Sequence, residues 1–114
     1  SGYQKIGSYT GNSSTTGPIV YTTDDGTSSG SNGFRPRFIK VKGVTASYSS
    51  HWMMMDSVRD TDTEKDKRLL ANLNNIETDD PNWKVEFLDN GFQPKSTFSG
   101  FNDSNGTYIF LAIK

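Results

Sequence analysis

The residues able to do chemistry in this 114-residue chain are few and scattered. There is one histidine, His51, and no cysteine. A serine-type nucleophile needs an imidazole base that a third group orients. His51 stands in an apolar run beside Trp52, the setting of a packed ring rather than of a base. One histidine without thiolates also falls short of a zinc ligand set. The acids come in runs. Asp60-Thr61-Asp62-Thr63-Glu64-Lys65-Asp66 opens like a calcium loop, yet Lys65 stands where the sixth position needs glycine. Ala71 stands where the twelfth position needs a bidentate glutamate, so the run reads as a solvated charged loop. Asp24-Asp25 and Asp79-Asp80 are adjacent in sequence, which sets neither pair at a defined separation across a sugar ring. The expectation is a chain that is not an enzyme and carries no cofactor and no metal.

The aromatic and sulfur residues point to packing and to surface. Met53-Met54-Met55 suits core filling, because thioethers fit irregular gaps. Trp52 and Trp83 could stack on a sugar, but large aromatics dominate small cores and burial is the expected role. Tyr9, Tyr21 and Tyr48 lie near turns and are the better surface candidates. Loop placement and side-chain type select Tyr21, Asp24, Asp25, Asn32, Tyr48 and His51 as the ligand-binding set. Sequons at Asn12, Asn102 and Asn105 arise readily by chance in a chain so rich in Asn, Ser and Thr.

These residues need a scaffold, and composition limits which one. Only 32% of the chain is hydrophobic, and small polar residues dominate the rest. Those residues serve turns and weaken helix interiors. A single domain over 1–114 is the size one modest core supports. Twelve basic residues against thirteen acidic give a net charge of -1, which offers a phosphate backbone little attraction. No apolar stretch approaches membrane-spanning length, so no membrane insertion is expected. The chain begins at Ser1 rather than methionine, which reads as a module of a longer protein.

Periodicity supplies the strands. Tyr3 to Tyr9 and Pro18 to Thr22 are short candidates. Arg37 to Lys42 alternates, with Ile39 and Val41 on one face and Lys40 and Lys42 on the other. His51 to Asp56 is apolar on both faces, as a central strand would be. Trp83, Val85 and Phe87 alternate with Lys84 and Glu86, and an Asn90-Gly91 turn follows. Thr107 to Lys114 is a final strand with almost no polar residue, which predicts covering on both faces and burial of Ile109 and Leu111. Lys67 to Leu73 reads as a strand after a charged loop. Thr61-Asp62-Thr63-Glu64 also fits a capping box, so a short helix is the alternative there. Asp24 to Gly33 is the most flexible-looking segment. The sum is an all-β, antiparallel β-sandwich.

Several stretches carry a resemblance that spans nearly the whole chain. They are Tyr9-Thr10-Gly11-Asn12, Gly33-Phe34-Arg35-Pro36 leading into Phe38 to Lys42, and Trp52 with Asp56-Ser57-Val58-Arg59. Leu70 with Asn72, Phe87 to Phe92, and Asn102 through Gly106-Thr107-Tyr108-Ile109-Phe110 complete the set. Together they resemble a domain recurring in virion structural proteins of marine tailed bacteriophages, cyanophages especially, in tail fibres, tail spikes and other appendages. The resemblance implies a lectin-like or jelly-roll-like antiparallel sandwich displayed on a virion as a homo-oligomer, a trimer favoured. Its partners would be other virion proteins and a host-surface glycan. It brings no catalytic residues. The chain departs from it in its charged Thr61 to Asp66 insertion and in ending directly after the last strand. The latter fits a terminal domain or a capsid decoration protein, whose interface could include Phe98 and Phe101.

Overall fold

The computed structural model describes residues 2–44, 52–57, 64–65, 67–70, 78–79, 84–97, 102–104 and 106–114. Ten strands are defined among them. They are β1 (Gln4–Thr10), β2 (Val20–Tyr21), β3 (Phe38–Gly43), β4 (Met53–Asp56), β5 (Glu64–Lys65), β6 (Lys67–Leu70), β7 (Thr78–Asp79), β8 (Val85–Leu88), β9 (Gly91–Pro94) and β10 (Thr107–Ile113). A six-stranded sheet runs β1-β10-β3-β4-β6-β7, and a four-stranded sheet runs β2-β9-β8-β5. Every pairing is antiparallel. This is the all-β sandwich that the alternating runs predict.

The core lies where the two inner faces meet. The six-stranded sheet supplies Tyr9, Ile39, Val41, Met53, Met55, Tyr108, Phe110 and Ala112, and the four-stranded sheet supplies Val20, Val85, Phe87 and Phe92. Phe92 meets Phe110 edge-on at 5.3 Å and Tyr9 edge-on at 6.0 Å, locking one sheet to the other. Tyr9 and Tyr108 are directly opposed across β1 and β10, and their rings stack at 5.1 Å, so Tyr9, expected at the surface, is a core residue instead. Each such side chain buried contributes about 1.5–3 kcal/mol.

The outer face of the larger sheet departs from expectation in three places. Ile109 and Leu111 are half-buried rather than hidden, because the register sets them opposite Lys42 and Lys40. Lysine stems lie along apolar neighbours while their ammonium groups reach water. Trp52 is not a core residue either. It is half-buried on the side opposite Met53, with the Lys40 Nζ 4.8 Å and the Lys42 Nζ 5.8 Å from its ring centre. Accordingly β4 is buried on one face only: Met53 and Met55 are fully buried and Met54 is half-buried.

Two local readings also shift. Val85–Leu88 and Gly91–Pro94 form the expected hairpin, but Leu88 pairs with Gly91, so Asp89 and Asn90 occupy the turn. Gly91 is instead a strand residue facing Tyr21, and a Cβ there would strike the Val20 carbonyl oxygen. Lys67–Leu70 is a strand as read, whereas Glu64–Lys65, placed in the charged loop, pairs with Glu86 and Val85 at the edge of the smaller sheet. A short, charged strand is a common guard for such an edge. Trp83, Leu73, Phe98 and Phe101 lie outside the described residues, as do residues 61–63 and 66.

Candidate functional site

The candidate site grows from the root of the Thr22 to Phe34 loop. Thr22 is fully buried; its hydroxyl donates to the Phe34 carbonyl at 2.6 Å and accepts from the Phe34 N–H at 2.9 Å. One side chain thus closes the loop at its base. Its N–H donates to the Asn90 carbonyl at 2.8 Å, tying the base to the β8–β9 turn. Further out, the Asp24 N–H donates to the Ser31 carbonyl at 2.9 Å. Asn32, held at a φ of 61°, donates its amide to the Asp24 carboxylate at 2.6 Å. Asparagine tolerates that left-handed conformation better than most residues. Gly26 makes the tip turn at a φ of 74°, where a side chain would be strained.

The two adjacent acids are held differently. The Asp25 carboxylate accepts from the Thr27 N–H at 3.0 Å and from the Thr27 hydroxyl at 2.8 Å. These two bonds hold the exposed carboxyl below its ordinary range. Asp24 is likewise lowered, chiefly by the Asn32 amide and further by the charge of Lys5. The Lys5 ammonium donates to the Asp24 carbonyl at 2.8 Å, joining β1 to the loop. The carboxylates therefore serve different partners and do not converge on one point. A segment read as flexible is a closed hydrogen-bonded unit.

Beside this loop lies a cleft of about 260 Å³ between edge strands of the two sheets. Lys5, Gly7 and Tyr9 of β1, Ile19, Tyr21 and the Gly26 tip are among its lining residues. A half-buried tyrosine, an isoleucine and a lysine give it an apolar wall with one cation. A second cleft, of about 590 Å³, is lined by Tyr3, Arg35, Pro36, Arg37, Ser57 and Lys114. Arg35 also reaches Asp89 at 3.2 Å, an exposed pair of little energetic weight. No cluster of acids and histidines able to hold a metal is found among the described residues.

A family model described as a domain of unknown function (DUF7483) matches residues 1–114, the full length of the chain. The chain belongs to this family. No curated protein and no solved structure matches it.

Within this DUF7483 domain, four of the six sequence-selected residues come together. Asp24, Asp25 and Asn32 form the loop, and Tyr21 lines the cleft next to its tip. Tyr48 and His51 lie outside the described residues. Sequence reasoning missed Lys5, Ile19 and Gly26. Lys5 stands in an alternating strand and carries no local mark of its reach to residue 24. Ile19 follows Pro18 at a strand start, and its 43% exposure was the feature to look for. The arginines of the second cleft were visible as Arg35-Pro36-Arg37, but only the fold brings Tyr3 and Lys114 to them.

Proposed function

We propose that this DUF7483 domain is a non-enzymatic virion protein that presents a β-sandwich for attachment to host-surface glycan. The observation that supports it most is the cleft beside a rigid polar loop. Tyr21 lines the cleft, and in the adjoining loop the exposed Asp24 and Asn32 side chains are held to each other by a 2.6 Å hydrogen bond, which sets their spacing. A sugar needs both kinds of surface: an apolar plane for its C–H face and preset polar groups for its hydroxyls. The divergence of Asp24 from Asp25 suits binding better than acid–base hydrolysis, which needs two carboxyls across one bond. Weak single sites suffice when a homo-oligomer repeats them, since linked sites gain about 10²–10⁴ in avidity. A glycan array carrying neutral and acidic bacterial polysaccharides tests the reading. Binding that Tyr21→Ala abolishes is expected; an array silent to the wild-type oligomer overturns it.

A second reading is a capsid-decorating or appendage-building subunit whose partners are other virion proteins. The large exposed side chains of Tyr3 and Ile6, three positions apart around the start of β1, favour it, because neighbouring solvent-facing apolar groups mark contact surfaces. Pull-down against purified capsid and tail proteins separates the two. Failure to retain any of them removes the assembly reading.

A further inference from the structure

The free edge of the larger sheet borders the cleft, since Ile6 and Ser8 are also among the cleft's lining residues, and its main chain offers a second use. Among the described strands, β1 stands at the end of its sheet and pairs only with β10. Two hydrogen bonds flanking the strand fix its phase. The Lys114 N–H donates to the Tyr3 carbonyl at 2.9 Å, and the Gly11 N–H donates to the Gly106 carbonyl at 3.1 Å. Hydrogen-bonded positions alternate along an antiparallel pair. Lys5, Gly7 and Tyr9 therefore turn their main-chain groups to β10, and Gln4, Ile6, Ser8 and Thr10 turn theirs away. No hydrogen bond from a described residue reaches the main chain of those four.

An edge of this kind is normally guarded by proline, a bulge or an outward charge. β1 has none of these. Its seven residues pair with β10 in unbroken register, and none is proline. Its single charge, Lys5, is spent on the Asp24 carbonyl. Ile6 is 72% exposed on the strand, and Tyr3 is 75% exposed just before it.

We propose that β1 pairs antiparallel with β1 of a second copy of this chain, joining two larger sheets across a two-fold axis at Gly7. In that register Ile6 exchanges hydrogen bonds with Ser8 of the second copy, and Gln4 does so with Thr10. All four outward residues are thereby satisfied, each by another of the same set in reverse order. A second copy is the partner this register fits, because the strand's glycine falls on the axis and its one charge meets no like charge. At the axis the two glycines meet at a non-hydrogen-bonded position, where Cα atoms approach to about 4.5 Å. No like charges are opposed, since Lys5 faces Tyr9 of the second copy. The Ile6 side chains become diagonal neighbours and extend the Leu111–Ile6 row across the axis. A strand paired with itself closes at two, so the association is a dimer rather than the trimer implied by the resemblance.

Sedimentation across the micromolar range, with amide hydrogen exchange, tests this without any glycan present. A dimer is expected, and the Ile6 and Ser8 amides slow by about tenfold or more as concentration rises. Gly7 and Tyr9, bonded to β10, are protected at every concentration. Ile6→Pro deletes an outward N–H while leaving the β1–β10 bonds intact, and Ile6→Lys adds the missing guard charge. Both variants are expected to be monomeric with an unchanged circular dichroism spectrum, whereas Val44→Lys keeps the dimer. Should the proline variant fail to fold, the lysine variant decides. A monomeric wild type with unprotected Ile6 and Ser8 amides overturns the proposal. So does a trimer, an open-ended polymer, or a dimer that survives Ile6→Lys.

Discussion

The corner around Asn102 and the loop from Thr22 to Phe34 are built from the same kinds of residue, yet they do opposite things. Asn102 is fully buried, and its side chain makes four hydrogen bonds. Its Oδ1 accepts from the Asn12 N–H at 2.9 Å, and its Nδ2 donates to the Asn12 side chain at 3.0 Å, the Ser14 carbonyl at 2.8 Å and the Ser96 carbonyl at 3.0 Å. Two of those partners lie about ninety positions away in sequence, so the corner staples the start of the chain to its end. In the other loop most bonds span eight residues or fewer, and the acids that accept them are exposed. Burial makes a polar network structural; exposure leaves it free to meet a ligand.

That contrast can be broken in four ways, taken from the largest effect down. Asn102→Ala removes a partner from the Asn12 N–H and from the Ser14 and Ser96 carbonyls, and a loss of about 3 kcal/mol or more is expected in urea unfolding. A smaller loss would mean that the corner is not an anchor. Thr22→Val removes the hydroxyl that both donates to and accepts from Phe34, for about 2 kcal/mol by the same measurement. It tests whether the exposed loop rests on a buried root. Tyr108→Phe takes away the acceptor of the Asp103 N–H, 2.8 Å distant, and should cost about 1 kcal/mol.

The fourth is pH. Asp24 and Asp25 titrate below their ordinary value in the folded chain, so their contribution is complete above that value. It is lost as pH falls through the lowered folded values. The Thr27 amide resonance should therefore move in acid while the Asn12 amide, held by a neutral carboxamide, stays still. In alkali the order reverses. Burial raises Tyr108, and raises Tyr9 further, so their stabilisation is intact below the ordinary tyrosine value and is lost as pH climbs through the raised ones. Alkaline unfolding with the Asp24–Asn32 loop still ordered below the transition would sharpen the comparison; an acid shift at Asn12 would end it.

How much of this was legible depends on how local each cause is. Alternation in Phe38 to Lys42 and Val85 to Leu88 writes the inner face directly, because a strand has a period of two. Ile109 and Leu111 misled because their covering is a pair of lysine stems on a neighbouring strand, and composition gives lysine no apolar character. Asp24 to Gly33 looked loose because its Gly and Ser content was visible while its Asn32–Asp24 and Thr27–Asp25 bonds were not. Asn102 stood out only as a sequon and as part of the resemblance, and its role as an anchor could not be read. One asparagine in an asparagine-rich chain gives no sign that residues ninety positions earlier consume its amide. The candidate site was half legible for the same reason: the loop residues are contiguous, and Lys5 reaches them only through the fold.

The position of β10 has a consequence for how this molecule comes into being. It is the slat that joins β1 to β3, yet it is translated after both. Until β10 leaves the ribosome, β1 has no neighbour among the described strands to hold, and its apolar side chains wait in water. Chains whose contacts link distant positions fold slowly. Here the joining strand follows every other described strand, so a product stalled before Thr107 would be a target for chaperones and proteases rather than a smaller version of the same domain.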